Sequence, residues 1–175
     1  MTGRSDYTEA EWAVLSDLPR LAAFGAMAAE ADGPVTSTRE LWAAMQAMLQ
    51  PGGTDQAGDP LIAEIVRGYA GSDHEGHVAG DWDPESGEEL GQAIVAQALQ
   101  TAPRARAALA ARATPEEAEH YRHWVLGIAR GGVEAARDGL FGLSGERVSA
   151  PEGTFIHELA SALGASSSPS SSSPP

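Results

Sequence analysis

Two close pairs of histidine stand in this acidic chain. His74 and His77 lie in "DHEGH", and His120 and His123 in "EEAEHYRHW". Imidazole beside carboxylate suits zinc, iron or manganese. If the chain is helical from Pro115, the i, i+3 spacing sets His120 and His123 on one face, with Glu116, Glu117 and Glu119 within a turn. Two readings stay open. The histidines are solvent-exposed helix and loop residues, or one divalent-metal site joins His74 and His77 to His120 or His123.

Better-known metal patterns fit poorly. Glu117-x-x-His120 is half of a di-iron carboxylate motif, which needs a second Glu-x-x-His and two further glutamates on facing helices. The position three before His157 is Thr154, not a carboxylate. "HEGH" falls one residue short of the His-Glu-x-x-His of the zincins.

A second pattern is repeated. "AEADGPVTSTRELW" (29–42) and "AARDGLFGLSGERVSAPE" (135–152) each close an alanine-rich segment on Asp-Gly, then give a loop and Ser-x-x-Glu. Neither is a calcium loop of the EF-hand kind, which needs Gly at position 6 and Glu at 12. Counting from Asp32, these are Ser37 and Ala43; from Asp138, Leu143 and Ser149. Local grammar explains the phrase: Gly33 and Gly139 end helices, and Ser37 and Ser149 cap the next. A duplicated helical hairpin accounts for the two copies.

"A-D-G-x-V…E" at a helix–turn–helix resembles the repeated turn of TerB-like (tellurite-resistance) domains. That resemblance implies an all-helical, acidic stress-response protein holding a divalent metal near its turns, through Asp32, Glu40, Asp138 and Glu152. The second turn departs from the pattern by an insertion, Leu140 to Gly145, and Arg39 and Arg137 lie close to the implied ligands. "EWAVLSDLP" (11–19) and "PEEAEHYRHWVLGIARGGVEAARDGLFGLSGERVSAPE" (115–152) are also similar to an uncharacterised bacterial family of helical proteins, a likeness that speaks to fold and not to activity.

Composition narrows the remaining chemistry. With no cysteine in 175 residues there is no thiol nucleophile and no disulfide framework. No Gly-x-Ser-x-Gly elbow, phosphate loop or dinucleotide fingerprint occurs. A net charge of -14 disfavours nucleic acid and anionic membrane surfaces. "MTGRSDYTEAEW" lacks the apolar core of a signal peptide, so the expectation is a cytoplasmic protein without membrane insertion.

These residues need helices to position them, and helix-start signals recur. Thr8-x-x-Glu11, Ser37-x-x-Glu40, Ser86-x-x-Glu89, Thr114-x-x-Glu117 and Ser149-x-x-Glu152 all read as capping boxes. Tyr7 and Trp12 stand at the positions of a hydrophobic staple, and Asp59-Pro60 opens a further helix. Apolar stripes at helical spacing follow: Leu21, Phe24 and Ala28; Leu41, Met45, Met48 and Leu49; Leu90, Ile94, Val95 and Leu99; Tyr121, Trp124, Val125 and Ile128; Phe155, Ile156, Leu159 and Leu163. Gly71 and Gly164 read as stops, and Pro19 and Pro103 as starts of new segments or kinks.

The fold expected is all-α: one helical-bundle domain over residues 1–164, of about six or seven helices. Residues 165–175, "ASSSPSSSSPP", read as a disordered tail, and residues 71–86 as a long connection. The function expected is a non-enzymatic acidic binding or scaffold module with a protein partner. The alternative is a TerB-like divalent-metal-binding stress protein.

Overall fold

The computed structural model describes residues 2–30, 59–70, 87–139 and 150–165. These form an all-helical bundle with no strand among the described residues. A short 3-10 turn, Arg4–Asp6, precedes five α-helices: α1 (Glu9–Glu30), α2 (Pro60–Ala70), α3 (Gly87–Arg112), α4 (Pro115–Gly139) and α5 (Ala150–Leu163). The expected helix over Leu41, Met45, Met48 and Leu49 lies outside the described residues, as do Ser37, Gly71, the 71–86 connection and the front copy of the repeated phrase.

The local signals that fall on described residues form as written; Gly33, Ser86 and Ser149 also lie outside those residues. Thr8 N–H donates to Glu11 Oε2 at 2.8 Å, and Glu11 N–H donates back to Thr8 Oγ1 at 3.2 Å, closing the first capping box. The Tyr7 and Trp12 rings stand 6.2 Å apart as the staple beneath it. The same reciprocal pair joins Thr114 and Glu117, at 2.9 and 3.2 Å, with Pro115 opening α4. At the far end α5 stops on Gly164 at φ 71°. Ala165 N–H reaches the Ala160 carbonyl at 2.9 Å and Gly164 N–H the Ser161 carbonyl at 3.0 Å, a Schellman closure.

α1 is the axis of the bundle. Every residue from Leu18 to Ala26 is buried, so this stretch is enclosed on all sides instead of presenting one apolar face. α3, α4 and α5 pack around it, and α2 lies against α4. The close approach needs small residues. A Cβ placed on Gly25 would stand 2.6 Å from Cζ of Phe155, so α5 can cross α1 there only because Gly25 has no side chain.

α3 uses the same device and departs from its expected stripe. The apolar side chains it buries are Ile94, Ala98, Ala102, Ala105, Ala108 and Leu109, while Leu90, Val95 and Leu99 are only partly buried beside them. Reading hydrophobicity by size favoured the larger residues. The contact is an alanine seam because short side chains let the two helix axes approach closely.

Both internal prolines lie within continuous helices, so neither starts a new one. Proline has no N–H and leaves the carbonyl four residues earlier without its helical donor. Pro103 is exposed. Pro19 is buried, and the Leu15 carbonyl that it leaves without an amide must find a donor inside the protein.

Candidate functional site

The polar chemistry of the described residues gathers where α1, α2 and α4 meet. Pro19 deprives the Leu15 carbonyl of its amide, and the Tyr121 hydroxyl of α4 donates to that carbonyl at 2.8 Å. One residue on, the Ser16 carbonyl accepts from the Tyr69 hydroxyl of α2. Two tyrosines from two helices therefore serve consecutive carbonyls at the proline. Burial pushes both phenols above their ordinary range, with nearby Asp17 adding in the same direction and Arg20 opposing it at Tyr69. Each hydroxyl stays protonated and acts as a donor.

Arg20 follows the proline and is 2 % exposed. Its guanidinium carbon lies 4.9 Å from the centre of the Tyr69 ring, a cation–π contact. The Asp17 carboxylate, in the preceding turn, comes to 3.7 Å from Nη2, an ion-pair distance too long for a hydrogen bond. Nε and Nη2 have no hydrogen-bond partner among the described residues. A buried donor left dry costs about 1–3 kcal/mol, and more on a charged group. By contrast, the buried Nε of Arg122 belongs to a guanidinium whose Nη1 is bonded to Glu119.

Asp59 anchors the other end of α2. Its Oδ1 accepts from Leu61 N–H at 3.0 Å and, more weakly, from Ile62 N–H at 3.4 Å, capping the helix. Its Oδ2 lies 2.9 Å from His120 Nδ1. A carboxylate oxygen only accepts, so Nδ1 donates and the neutral ring carries its lone pair on Nε2. The Asp59 side chain is 4 % exposed and that of His120 42 %, so the pair runs from interior to surface.

The chain start is tied to the same helices. Arg4 N–H donates to Glu64 of α2 at 2.9 Å, and Thr2 N–H donates to Glu117 Oε1 of α4. Burial of Glu117 raises its carboxyl pKa, but the Thr114 and Thr2 amides and the Thr114 hydroxyl outweigh it and hold the value at about 2.

The expected metal ligands fare unevenly. His120 is engaged by Asp59. His123 is exposed, and its Nε2 stands 3.6 Å from Glu119 Oε1 on its own helix. Asp138 lies near the end of α4, whose described residues run to Gly139. Glu152 lies in the first turn of α5, three residues after Ser149, the register of a capping box. Asp32, Glu40, His74 and His77 lie outside the described residues. Among the described residues, no group of three or more histidine and carboxylate side chains is placed to hold a metal ion.

Sequence reasoning passed over Asp59 as the partner of His120, and Arg20, Tyr69 and Tyr121 as polar groups in the core. One signal was present: a proline inside the apolar run "LSDLPRLAAF" (15–24) demands a foreign donor for the carbonyl four residues back. Nothing local says which tyrosine supplies it. Among the described residues, no helix is long and apolar enough to cross a membrane. No protein-family model, curated protein or solved structure matches the chain.

Proposed function

We propose that the protein is a non-enzymatic helical binding or scaffold module that engages an acidic protein surface through the outer face of α3. One observation carries this reading. In a chain of net charge -14, residues 90–115 hold no Asp or Glu and carry Arg104, Arg106 and Arg112. Arg104 is exposed, and so are Ala96, Gln100, Pro103, Ala107 and Ala111, which recur at helical spacing. At 1.5 Å per residue the helix is about 39 Å long, enough to present an extended contact surface. The scaffold role also has the support of the buried polar groups, since Glu117, Asp59, Tyr69 and Tyr121 are committed to holding helices together.

The test is affinity capture with the full chain beside Arg104→Glu and Ala107→Glu variants, each checked by thermal unfolding. Both positions are exposed, so melting should be unchanged. Binding partners that are acidic, retained by the native chain, released by salt and lost by both variants would support the reading. Identical partners for all three chains would sink it.

Divalent-metal binding is the second reading, and one observation favours it. Histidine ligands commonly donate their second ring nitrogen to a carboxylate, as His120 does to Asp59. Elemental analysis of protein purified without chelator, with melting in the presence and absence of EDTA, decides it. A stoichiometric metal whose removal lowers the melting temperature, in native but not His120→Ala protein, is the result expected of a metal site at this histidine. Metal-free protein indifferent to EDTA rejects it.

A further inference from the structure

Asp59 does more to His120 than hold it. The buried carboxylate is fixed by the first amides of α2, and its Oδ2 accepts from His120 Nδ1 at 2.9 Å. The two nitrogens of an imidazole point apart, so a ring that aims Nδ1 at the interior turns Nε2 away from it. His120 is half-exposed, and Nε2 carries the lone pair of a tautomer set in advance. A reactive nitrogen oriented by a carboxylate behind it is the arrangement of an activated nucleophile. Nothing softer competes with it. The chain has no cysteine and no lysine, and the Tyr69 and Tyr121 hydroxyls are committed to carbonyls of α1.

We propose that His120 is a phosphoryl-acceptor site, taking the group on Nε2 from a phosphorylated nitrogen such as a phosphohistidine. The Nε2 lone pair forms the new N–P bond, and the donor's P–N bond breaks with its electron pair leaving on the departing nitrogen. No proton moves. The ring becomes an imidazolium with the phosphoryl group on Nε2 and hydrogen still on Nδ1, and the Asp59 carboxylate offsets its positive charge. Positioning and charge are most of what phosphoryl transfer asks of a protein. The class of donor follows from the surroundings. Glu116, one turn before His120, and Glu119 are exposed in a chain of net charge -14. A donor whose reacting nitrogen is cationic meets less repulsion there than an acyl phosphate or a nucleoside triphosphate. The site lies on α4, and accepting the group does not depend on a partner at the outer face of α3.

The experiment treats the full chain with phosphoramidate, the smallest such donor, which leaves as ammonia. EDTA is present throughout, because a metal on Nε2 would occupy the same lone pair. Peptide mass spectrometry follows each histidine with time, and phosphorus NMR identifies the nitrogen that carries the group. Exposure alone ranks His120 behind His123 and His157, both more exposed. The expected result is the reverse, with His120 phosphorylated at Nε2 about tenfold or more faster than either. In urea the three should react alike. Asp59→Asn keeps an oxygen to cap α2 but offers His120 an N–H, which moves the ring proton to Nε2 and should remove the lead. Nitrogen-15 shifts of the ring report that change of tautomer, which a purely structural role for Asp59 does not require. Glu116→Gln removes a like charge and should raise the rate. If Asp59→Asn does not fold, the comparison of native with urea-unfolded chain still decides. A His120 no faster than His123 and His157, a lead that persists in urea or in Asp59→Asn, or a phosphoryl group on Nδ1 overturns the proposal.

Discussion

The Tyr121 hydroxyl lies 2.8 Å from the Leu15 carbonyl, the one carbonyl of α1 that Pro19 leaves without a helical amide. A proline in the buried stretch of a helix leaves an acceptor that water cannot reach. Here the defect is also a joint. It gives α4 a directional bond to the central helix, and Tyr69 of α2 makes the same kind of bond one carbonyl on.

Tyr121→Phe should therefore destabilise the protein by about 1–3 kcal/mol, the usual cost of a buried acceptor left unpaired. The effect should depend on the proline. In a Pro19→Ala background residue 19 again has an N–H, and Tyr121→Phe should cost clearly less. Urea unfolding of the four proteins in the cycle measures the coupling. Equal losses in both backgrounds would show that the hydroxyl does not serve the proline defect.

Gly25→Ala should destabilise by about 1–3 kcal/mol through overpacking, because the new methyl group meets the Phe155 ring. Combining it with Phe155→Leu should recover part of the loss by making room at the crossing. Gly127 offers the control on α4: a Cβ there meets nothing within 4 Å, and Gly127→Ala should be neutral or stabilising. Thermal melts of the three variants beside the native protein suffice.

Glu117 gives a pH dependence with a definite sign. Its folded pKa is held at about 2, below the ordinary carboxyl value of 4.5. A depressed carboxylate contributes stability that is fully present above the unfolded value and is lost as pH falls through the folded one. Stability should therefore drop between about pH 5 and pH 2, and Glu117→Gln should lower stability at neutral pH while flattening that slope. If the variant keeps the slope of the native protein, the acid sensitivity lies elsewhere.

Asp59 and His120 should not be equivalent. Asp59→Ala removes both a helix cap and the partner of His120, and should cost about 1–2 kcal/mol with selective loosening of α2. His120→Ala removes one half-exposed contact and should cost less than about 1 kcal/mol. Hydrogen exchange of the Leu61 and Ile62 amides separates the two, since both bond to Asp59 and neither to His120. Equal loss of protection in the two variants would mean that the cap depends on the histidine.

The sequence by itself determined where helices begin and end. Thr8 with Glu11, Thr114 with Glu117, Asp59 with Pro60 and the stop at Gly164 were all readable, because a cap bonds to a backbone group within a few residues. The metal-ligand reading was less legible, since spacing puts two histidines on one face but says nothing about what faces them. Tertiary structure alone decided that His120 meets Asp59, 61 residues earlier, and that Tyr121 reaches Leu15 across 106 residues. It also decided that alanines fill much of the face of α3 against the core, beside Ile94 and Leu109, and that Arg20 is enclosed. Those outcomes depend on how closely the helices cross and at which residues. Crossing geometry is set by side-chain volumes on two helices at once, which no local pattern in either one contains.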